Sequence, residues 1–419
     1  MPGFYLRSVA ILALLVPALA LTSAVGGPII IYTSSLIALV AMCANAVKHW
    51  EPFEFGELSW MSVALATPLA VMLVNSAVLG IWSSSELEKL LRFALAIPVA
   101  WLLLRVPRRW LQQVQWSLLA GAYAGSVMLF VIMLSPDLGR GAVSEYGGRY
   151  NAVAFADLTL FFGLASCLTL PGRLSRFSRL EAVLKIFVVP LSLWAAWLSQ
   201  TRSCWALLVV FGVVLLLANR HWSLRAKTAF VAGLSAFVVA GAVFAWHAKE
   251  SRFAEVRHDL TRYEHQDRDT SVGIRLQLWQ ASWLMFKEKP LTGVGAPNFR
   301  AELARLHDQG VVTKLVATKF GEPHNDFLGA LAMYGLPGLL SILALYFIPA
   351  AIFFRRLGSS DPVTHMGAKL GLLFTLGYAT FSLTEMMFRS MRSVPIYAVT
   401  VVVLFALSSE RARSKLARK

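Results

Sequence analysis

Residues 322–354 decide the fold: Glu322-Pro-His-Asn-Asp-Phe-Leu-Gly-Ala-Leu-Ala-Met-Tyr-Gly-Leu-Pro-Gly338, then Leu339-Leu-Ser-Ile-Leu-Ala-Leu-Tyr-Phe-Ile-Pro-Ala-Ala-Ile-Phe-Phe354. A polar Pro-His-Asn-Asp entry gives way at Phe327 to a run without a single charge, long enough to cross a bilayer. Backbone groups in lipid must be satisfied within the segment, and the run lacks the alternation of a barrel strand, so it reads as a helix. It is longer than a straight crossing, so the helix tilts or its ends project. Asn325-Asp326 stands where an N-cap belongs. His324, a titratable imidazole at a polar–apolar boundary, needs a reason.

The rest of the chain repeats this pattern. At 57% hydrophobic and 15% charged over 419 residues, it is not an ordinary soluble protein. Apolar segments recur near 7–24, 28–47, 59–81, 90–106, 113–134, 151–170, 183–200, 203–219, 227–247, 325–354, 366–388 and 394–409. The expected fold class is an all-α polytopic membrane protein of about twelve transmembrane helices. Its parts are helices one to nine (1–247), a hydrophilic loop (248–324), helices ten to twelve (325–409) and a basic tail (410–419). The N-terminus, Arg7 then an apolar core ending Ala20-Leu-Thr-Ser-Ala24, resembles a signal peptide but reads as a retained first helix, because spans continue behind it.

The formal net charge is +16, yet the basic residues sit in short segments between apolar runs, which suits topology and not nucleic-acid binding. With the N-terminus inside, Arg105/Arg108/Arg109, Arg173/Arg176/Arg179, Arg220/Arg225/Lys227, Arg355/Arg356 and the tail all face the cytoplasm. Only Lys89, Arg140, Arg149, Arg202, Arg389 and Arg392 fall in short outside segments, so both termini are expected inside and the 248–324 loop outside. Cys43, Cys167 and Cys204 lack disulfide or metal spacing.

The long loop is patterned. Charges alternate at helical spacing through 249–266, then Leu278, Trp279, Ser282, Trp283 and Phe286 define one face of an amphipathic helix over 271–286. Pro290-Leu-Thr-Gly-Val-Gly-Ala-Pro297 is a turn-rich break, and Phe299, Leu303 and Leu306 mark another short helix. The expectation is a structured cap along the outer leaflet.

Several polar residues invite two readings. Arg202, in a tight turn between spans, either snorkels to headgroup phosphate or presents a guanidinium fork to an anionic ligand; Arg149, beside Gly147-Gly148, admits the same pair. Arg275 shares its helical face with Trp279 and Trp283, as a cation held against an aromatic-lined cavity would. His324 is either a structural histidine beside the capping residue Asn325 or an imidazole kept neutral by nearby arginines and able to accept a proton. Glu385, read as lying within the eleventh span, either pairs with Arg389 four residues on or takes part in catalysis. Asp267-Arg-Asp269 has the spacing of metal-dependent sugar transfer within a charge-laced stretch, and neither zinc nor phosphate-loop signatures occur. No metal and no cofactor are therefore expected.

Three groups of residues carry a resemblance: Gln200-Thr-Arg-Ser203; Ser271-Val-Gly-Ile-Arg-Leu-Gln-Leu-Trp279 with Lys289-Pro-Leu-Thr-Gly-Val-Gly295 and Asn298-Phe299; and Pro323-His-Asn-Asp-Phe-Leu with Tyr334-Gly-Leu-Pro-Gly338. Together they resemble the O-antigen ligase and polymerase superfamily of bacterial membrane glycosyltransferases, over roughly residues 195–340. The resemblance implies a type C glycosyltransferase-like fold in the bacterial inner membrane, with a periplasmic active site. It implies transfer of a glycan from undecaprenyl diphosphate to a sugar hydroxyl of lipid A–core, with inversion and without a metal. Carried over by motif, Arg202 and Arg275 bind the diphosphate and His324 is catalytic; Arg149, Arg389, Glu385 and Asn325 are supporting candidates. An O-antigen polymerase or a protein O-oligosaccharyltransferase remains the alternative within the superfamily. A lipid-linked glycan flippase is the alternative from another class.

Overall fold

Leucine-, alanine- and valine-rich runs with no backbone partner in lipid close their hydrogen bonds within each segment, and helices result. The computed structural model describes residues 1–23, 25–50, 56, 58–146, 150–201, 203–247, 259, 267–388 and 393–409, and every regular element among them is helical. In chain order the main helices are α1 (Gly3–Ala20), α2 (Gly26–Lys48), α3 (Ser59–Leu79), α4 (Ser84–Leu103), α5 (Val114–Leu134), α6 (Ala152–Leu168), α7 (Ser178–Leu198), α8 (Ser203–Ala218) and α9 (Leu224–His247). There follow α10 (Ser271–Glu288), α11 (Phe299–Asp308), α12 (Lys314–Lys319), α13 (Asp326–Arg356), α14 (Pro362–Phe381) and α15 (Ser393–Leu407).

Each of the twelve apolar segments falls on one helix, α1–α9 and α13–α15. Among the described residues, six helices are long and apolar enough to cross a membrane: Gly26–Lys48, Ser59–Leu79, Arg108–Leu134, Ser178–Leu198, Leu224–Gly241 and Asp326–Arg356. Four more are apolar but shorter. Large apolar side chains such as Leu36, Val74, Ile186, Trp194 and Leu340 face outward, as lipid-facing residues would. Polar pairs are kept inside: Lys185 of α7 donates to Glu181 (2.7 Å) and to Gln115 Oε1 of α5 (2.7 Å), while Glu181 also accepts from the backbone of Leu174 and Ser175. Every charge buried there has a partner, which is the condition for tolerating it.

Helix α13 organises the functional end. It packs on α3, on α14 and on the amphipathic α10. It is not continuous: Gly335 has φ 66° and ψ −157°, a conformation open to glycine alone, and the helix kinks there. The kink frees carbonyls that the 289–295 turn captures. Val294 N–H donates to Ala332 O (2.8 Å), Gly295 N–H to Met333 O (3.0 Å), and Leu336 N–H donates to Pro290 O (2.8 Å). A side chain at Gly293 would strike Ala332 O at 2.5 Å, so glycine permits the approach. The two glycine-rich motifs of the sequence are thus two halves of one joint.

Residues 267–324 have a core of their own. Leu278, Ala281 and Met285 of α10 bury against Val294, Phe299, Leu303, Leu306 and Val316, and the cluster merges with Ala332 and Met333 of α13. Phe299, Leu303 and Leu306 are inward, as their spacing predicts. The face expected for α10 is rotated: Leu278 and Ser282 are buried, whereas Trp283 is exposed and meets Phe286 at 5.3 Å. Small Ala281 and Gly273, which carry little hydropathic signal, allow the close packing that sets the buried stripe. The charged stretch 249–266 lies outside the described residues except for Asp259, whose carboxylate accepts from Val272 N–H at 3.3 Å.

Candidate active site

The site grows from the N-terminus of α13. Asn325 caps it, its side chain accepting from Leu328 N–H at 2.9 Å. The same side chain donates to Leu383 O (3.0 Å), and Asp326 N–H donates to Ser382 O (3.0 Å), stitching the entry of α13 to the exit of α14. The Asp326 carboxylate then accepts from Met387 N–H (3.2 Å), Phe388 N–H (3.4 Å) and Tyr346 O–H (3.0 Å). This bracing holds the 382–388 turn, and with it Glu385, against the Pro323-His-Asn-Asp stretch.

Glu385 corrects an expectation. Helix α14 ends at Phe381, so Glu385 is not in the helix but in the turn beyond it. Its carboxylate, with only 6% of the side chain exposed, lies 3.1 Å from His324 Nδ1; Glu322 lies 3.8 Å from the same nitrogen. An ionised carboxylate can only accept, so Nδ1 carries the proton and donates to Glu385, and in the neutral imidazole Nε2 keeps its lone pair. The preceding backbone is held too: Trp279 Nε1–H of α10 donates to Pro323 O at 3.0 Å. His324 sits at φ 50°, in the left-handed region, with Phe320 edge-on at 5.9 Å. A bulky residue rarely adopts this backbone unless its surroundings enforce it.

Burial pulls the imidazole pKa down, but the hydrogen bond and charge of Glu385, aided by Glu322, outweigh both burial and the nearby Arg275 guanidinium, so it lies above the ordinary histidine value. The arginines were expected to keep it neutral; Glu385, 61 residues away, and Glu322, two residues before the histidine, reverse that balance. Atoms of Glu322, His324 and Glu385 all lie within 4.8 Å of one another, a spacing that a cation could bridge and that a hydrogen-bonded acid–imidazole pair equally fits.

Beside this pair lies a cavity of about 280 Å³, walled by Arg140, Val153, Gln200, Ser203, Ser271, Val272, Arg275, Leu276, Trp279 and Thr384. Arg275 is half-buried, its Nη1 donating to Ser271 Oγ at 3.1 Å. Arg275 and Trp279 share the cavity wall as the spacing argument expects, whereas Trp283, expected on the same face, is exposed and not part of the wall. Gln200, like His324, has positive φ (53°). Ser203 O–H donates to the fully buried Asp157 of α6 at 2.8 Å, fixing the start of α8 to the wall.

Among the sequence candidates, His324, Asn325, Glu385 and Arg275 therefore come together, through Trp279 and Thr384. Arg149, Arg202 and Arg389 lie outside the described residues, although Gln200, Thr201 and Ser203, on either side of Arg202, are at the cavity or beside it. The Asp267-Arg-Asp269 spacing serves local structure, Asp269 accepting from Thr313 O–H and Arg268 donating to Val311 O (3.3 Å). Arg140 and Asp326 were missed. Asp326 stood in plain view inside the motif, but its partners are 20, 61 and 62 residues away.

A family model described as O-antigen ligase matches residues 187–343. An uncharacterized protein of Haemophilus influenzae is 24% identical over 213 residues, covering 50% of this chain and 52% of that protein. The O-antigen ligase of Escherichia coli K12 is 27% identical over 217 residues, covering 51% of this chain and 49% of that protein. The chain spans about half the length of the curated relatives it matches. The family match runs from within α7 into α13, across the Gln200–Ser203 turn, Arg275 and the His324 loop. As the motifs lead one to expect, residues 187–343 are similar to the O-antigen ligase family.

Proposed function

We propose that this protein transfers a glycan from undecaprenyl diphosphate to a sugar hydroxyl of lipid A–core. The reaction takes place at the periplasmic face of a bacterial inner membrane that the chain crosses about twelve times with both termini inside. The observation that carries this reading is the contact of His324 Nδ1 with Glu385, 3.1 Å, beside an arginine-walled cavity. Nε2 of His324 takes the proton of the acceptor hydroxyl as its oxygen bonds to the anomeric carbon. The bond from that carbon to the diphosphate oxygen breaks with inversion, and undecaprenyl diphosphate leaves with the electron pair. Arg275, and by the motif Arg202, bind the diphosphate and offset its growing charge, a task that guanidinium groups perform without a metal. Glu385 fixes the tautomer and stabilises the imidazolium, as an acid behind a catalytic histidine does.

The decisive assay combines purified protein, lipid-linked O-antigen and lipid A–core in a bilayer. A lipopolysaccharide ladder is expected, undiminished by EDTA; no ladder sinks the ligase reading, and loss on chelation sinks the metal-free one. The pH profile tests the acid–imidazole pair. The reactive form is unprotonated, so the rate should climb as pH rises through a histidine pKa that lies above the ordinary value. Glu385→Gln removes the main group raising that pKa, so its rising limb should move to lower pH and its plateau should fall. A limb that stays put while only the plateau drops would leave Glu385 a purely structural part.

A further inference from the structure

The geometry points to Asp157 as a positioning residue that sets how Ser203 meets a ligand. It draws the serine proton inward, so that Ser203 faces the cavity as an acceptor, suited to a hydroxyl or amide N–H of the transferred glycan and unsuited to its phosphates. This inference rests on the reading just given and names a contact for the sugar of the donor. Asp157 lies in α6 with no exposed surface. An acid inside an apolar membrane helix is costly and is kept for a task. Its two oxygens each lie 2.8 Å from Ser203 Oγ, and one lies 3.1 Å from Cys204 Sγ. Ser203 and Cys204 open α8, so the carboxylate also stands at the positive end of a helix of 16 residues, which favours its ionised form.

The chemistry of the pair is one-sided. An ionised carboxylate only accepts, and a serine hydroxyl has one proton, so that proton is committed to Asp157. Ser203 is half-buried and also lines the cavity of about 280 Å³, where it has lone pairs alone to offer. Phosphoryl oxygens are themselves acceptors and gain nothing from it, whereas a sugar hydroxyl or amide N–H finds a partner. Ser271 on the same wall is set the other way, accepting from Arg275 Nη1 at 3.1 Å and keeping its proton for a ligand. The tie also anchors the turn before it. Gln200, a wall residue, holds a φ of 53°, the hydroxyls of Ser199 and Thr201 lie 2.9 Å apart, and Ser203 fastens the end of the turn to α6. An asparagine at 157 would keep the shape of the acid but could donate to Ser203 and so release the serine proton to the cavity.

The test measures binding of undecaprenyl diphosphate, with and without its O-antigen glycan, to the full chain in nanodiscs. Wild type should bind the glycan-bearing lipid more tightly. Asp157→Asn should cut that preference about fivefold, the scale of one hydrogen bond, with the affinity for the bare lipid and the melting temperature kept. Ser203→Ala should cut it equally and the double variant no further, because the two residues act through one hydrogen bond. Ser203→Thr, which keeps the hydroxyl, should retain the preference; with Ser203→Ala it carries the test if Asp157→Asn folds poorly. A preference that survives Asp157→Asn and Ser203→Ala, or a wild type without one, overturns the assignment and leaves the proposed function standing. Losses that add in the double variant put the two residues in separate roles and overturn it as well. Equal losses for both lipids with a lower melting temperature reduce Asp157 to a structural tie, again overturning it. A wild type that binds neither lipid has no donor site, and the proposed function falls with it.

Discussion

His324→Ala should abolish glycan transfer, lowering the rate by about 10²–10⁴-fold, the range a positioned general base supplies. Binding of undecaprenyl diphosphate should stay near the wild-type value, because Arg275, to which the proposed function gives the diphosphate, remains in the cavity wall. The imidazole is 21% exposed and its ring meets Glu385, Glu322 and Phe320, so removing it leaves the Glu385 carboxylate facing a small void at the edge of the site. The cost in folding should be modest, since Asn325 and Asp326 continue to brace α13 against the 382–388 turn. The relief of positive φ at position 324 is small for alanine as well, so the backbone has no strong reason to change. Single-turnover transfer with pre-bound donor separates the two quantities. Wild-type rates in a folded, donor-binding variant would take His324 out of the mechanism altogether.

Gly335→Ala should be the most damaging small substitution away from the chemistry. The backbone there, φ 66° with ψ −157°, is closed to side chains, and an added Cβ would lie 2.6 Å from both Leu291 C and Pro290 O. Strain and overpacking together are worth roughly 2–5 kcal/mol. Straightening the helix to escape them would return Ala332 O and Met333 O to α13 and withdraw them from Val294 and Gly295. The joint between the 289–295 turn and the membrane helix would open. A melting temperature lower by several degrees and a parallel loss of transfer are expected in detergent-purified protein. An unchanged melting temperature and rate would mean that the kink is not required. Gly310, also at positive φ (75°) but with open space around it, is the control in which alanine meets backbone strain without a clash.

Much of this architecture was legible because lipid simplifies the code. An apolar run has one way to satisfy its backbone, so the helices behind the twelve segments followed from composition alone. Within the site, Arg275 was readable because helical periodicity ties it to Trp279, and Asn325 because capping is a local event. Glu385 was misplaced by a few residues for a physical reason: Phe381-Ser-Leu-Thr-Glu-Met-Met-Phe388 remains apolar past the point where Asp326 and Asn325 capture its backbone and end α14. Arg140 was passed over in favour of Arg149 because no periodicity connects a loop cation to a wall that four distant segments assemble. The sign of the imidazole's shift was unreadable for the same reason, since Glu385 approaches from 61 residues away.

The indole of Trp279 has a further meaning. It lines the cavity beside the imidazole, while its N–H holds the carbonyl just before His324. On the proposed function, the wall that would meet the substrate and the strut behind the base are one side chain. Under the proposed function, loading and aiming would be joined in series: a ligand that shifts the indole would pull on the Pro323 carbonyl through a hydrogen bond of 3.0 Å, one residue from the imidazole.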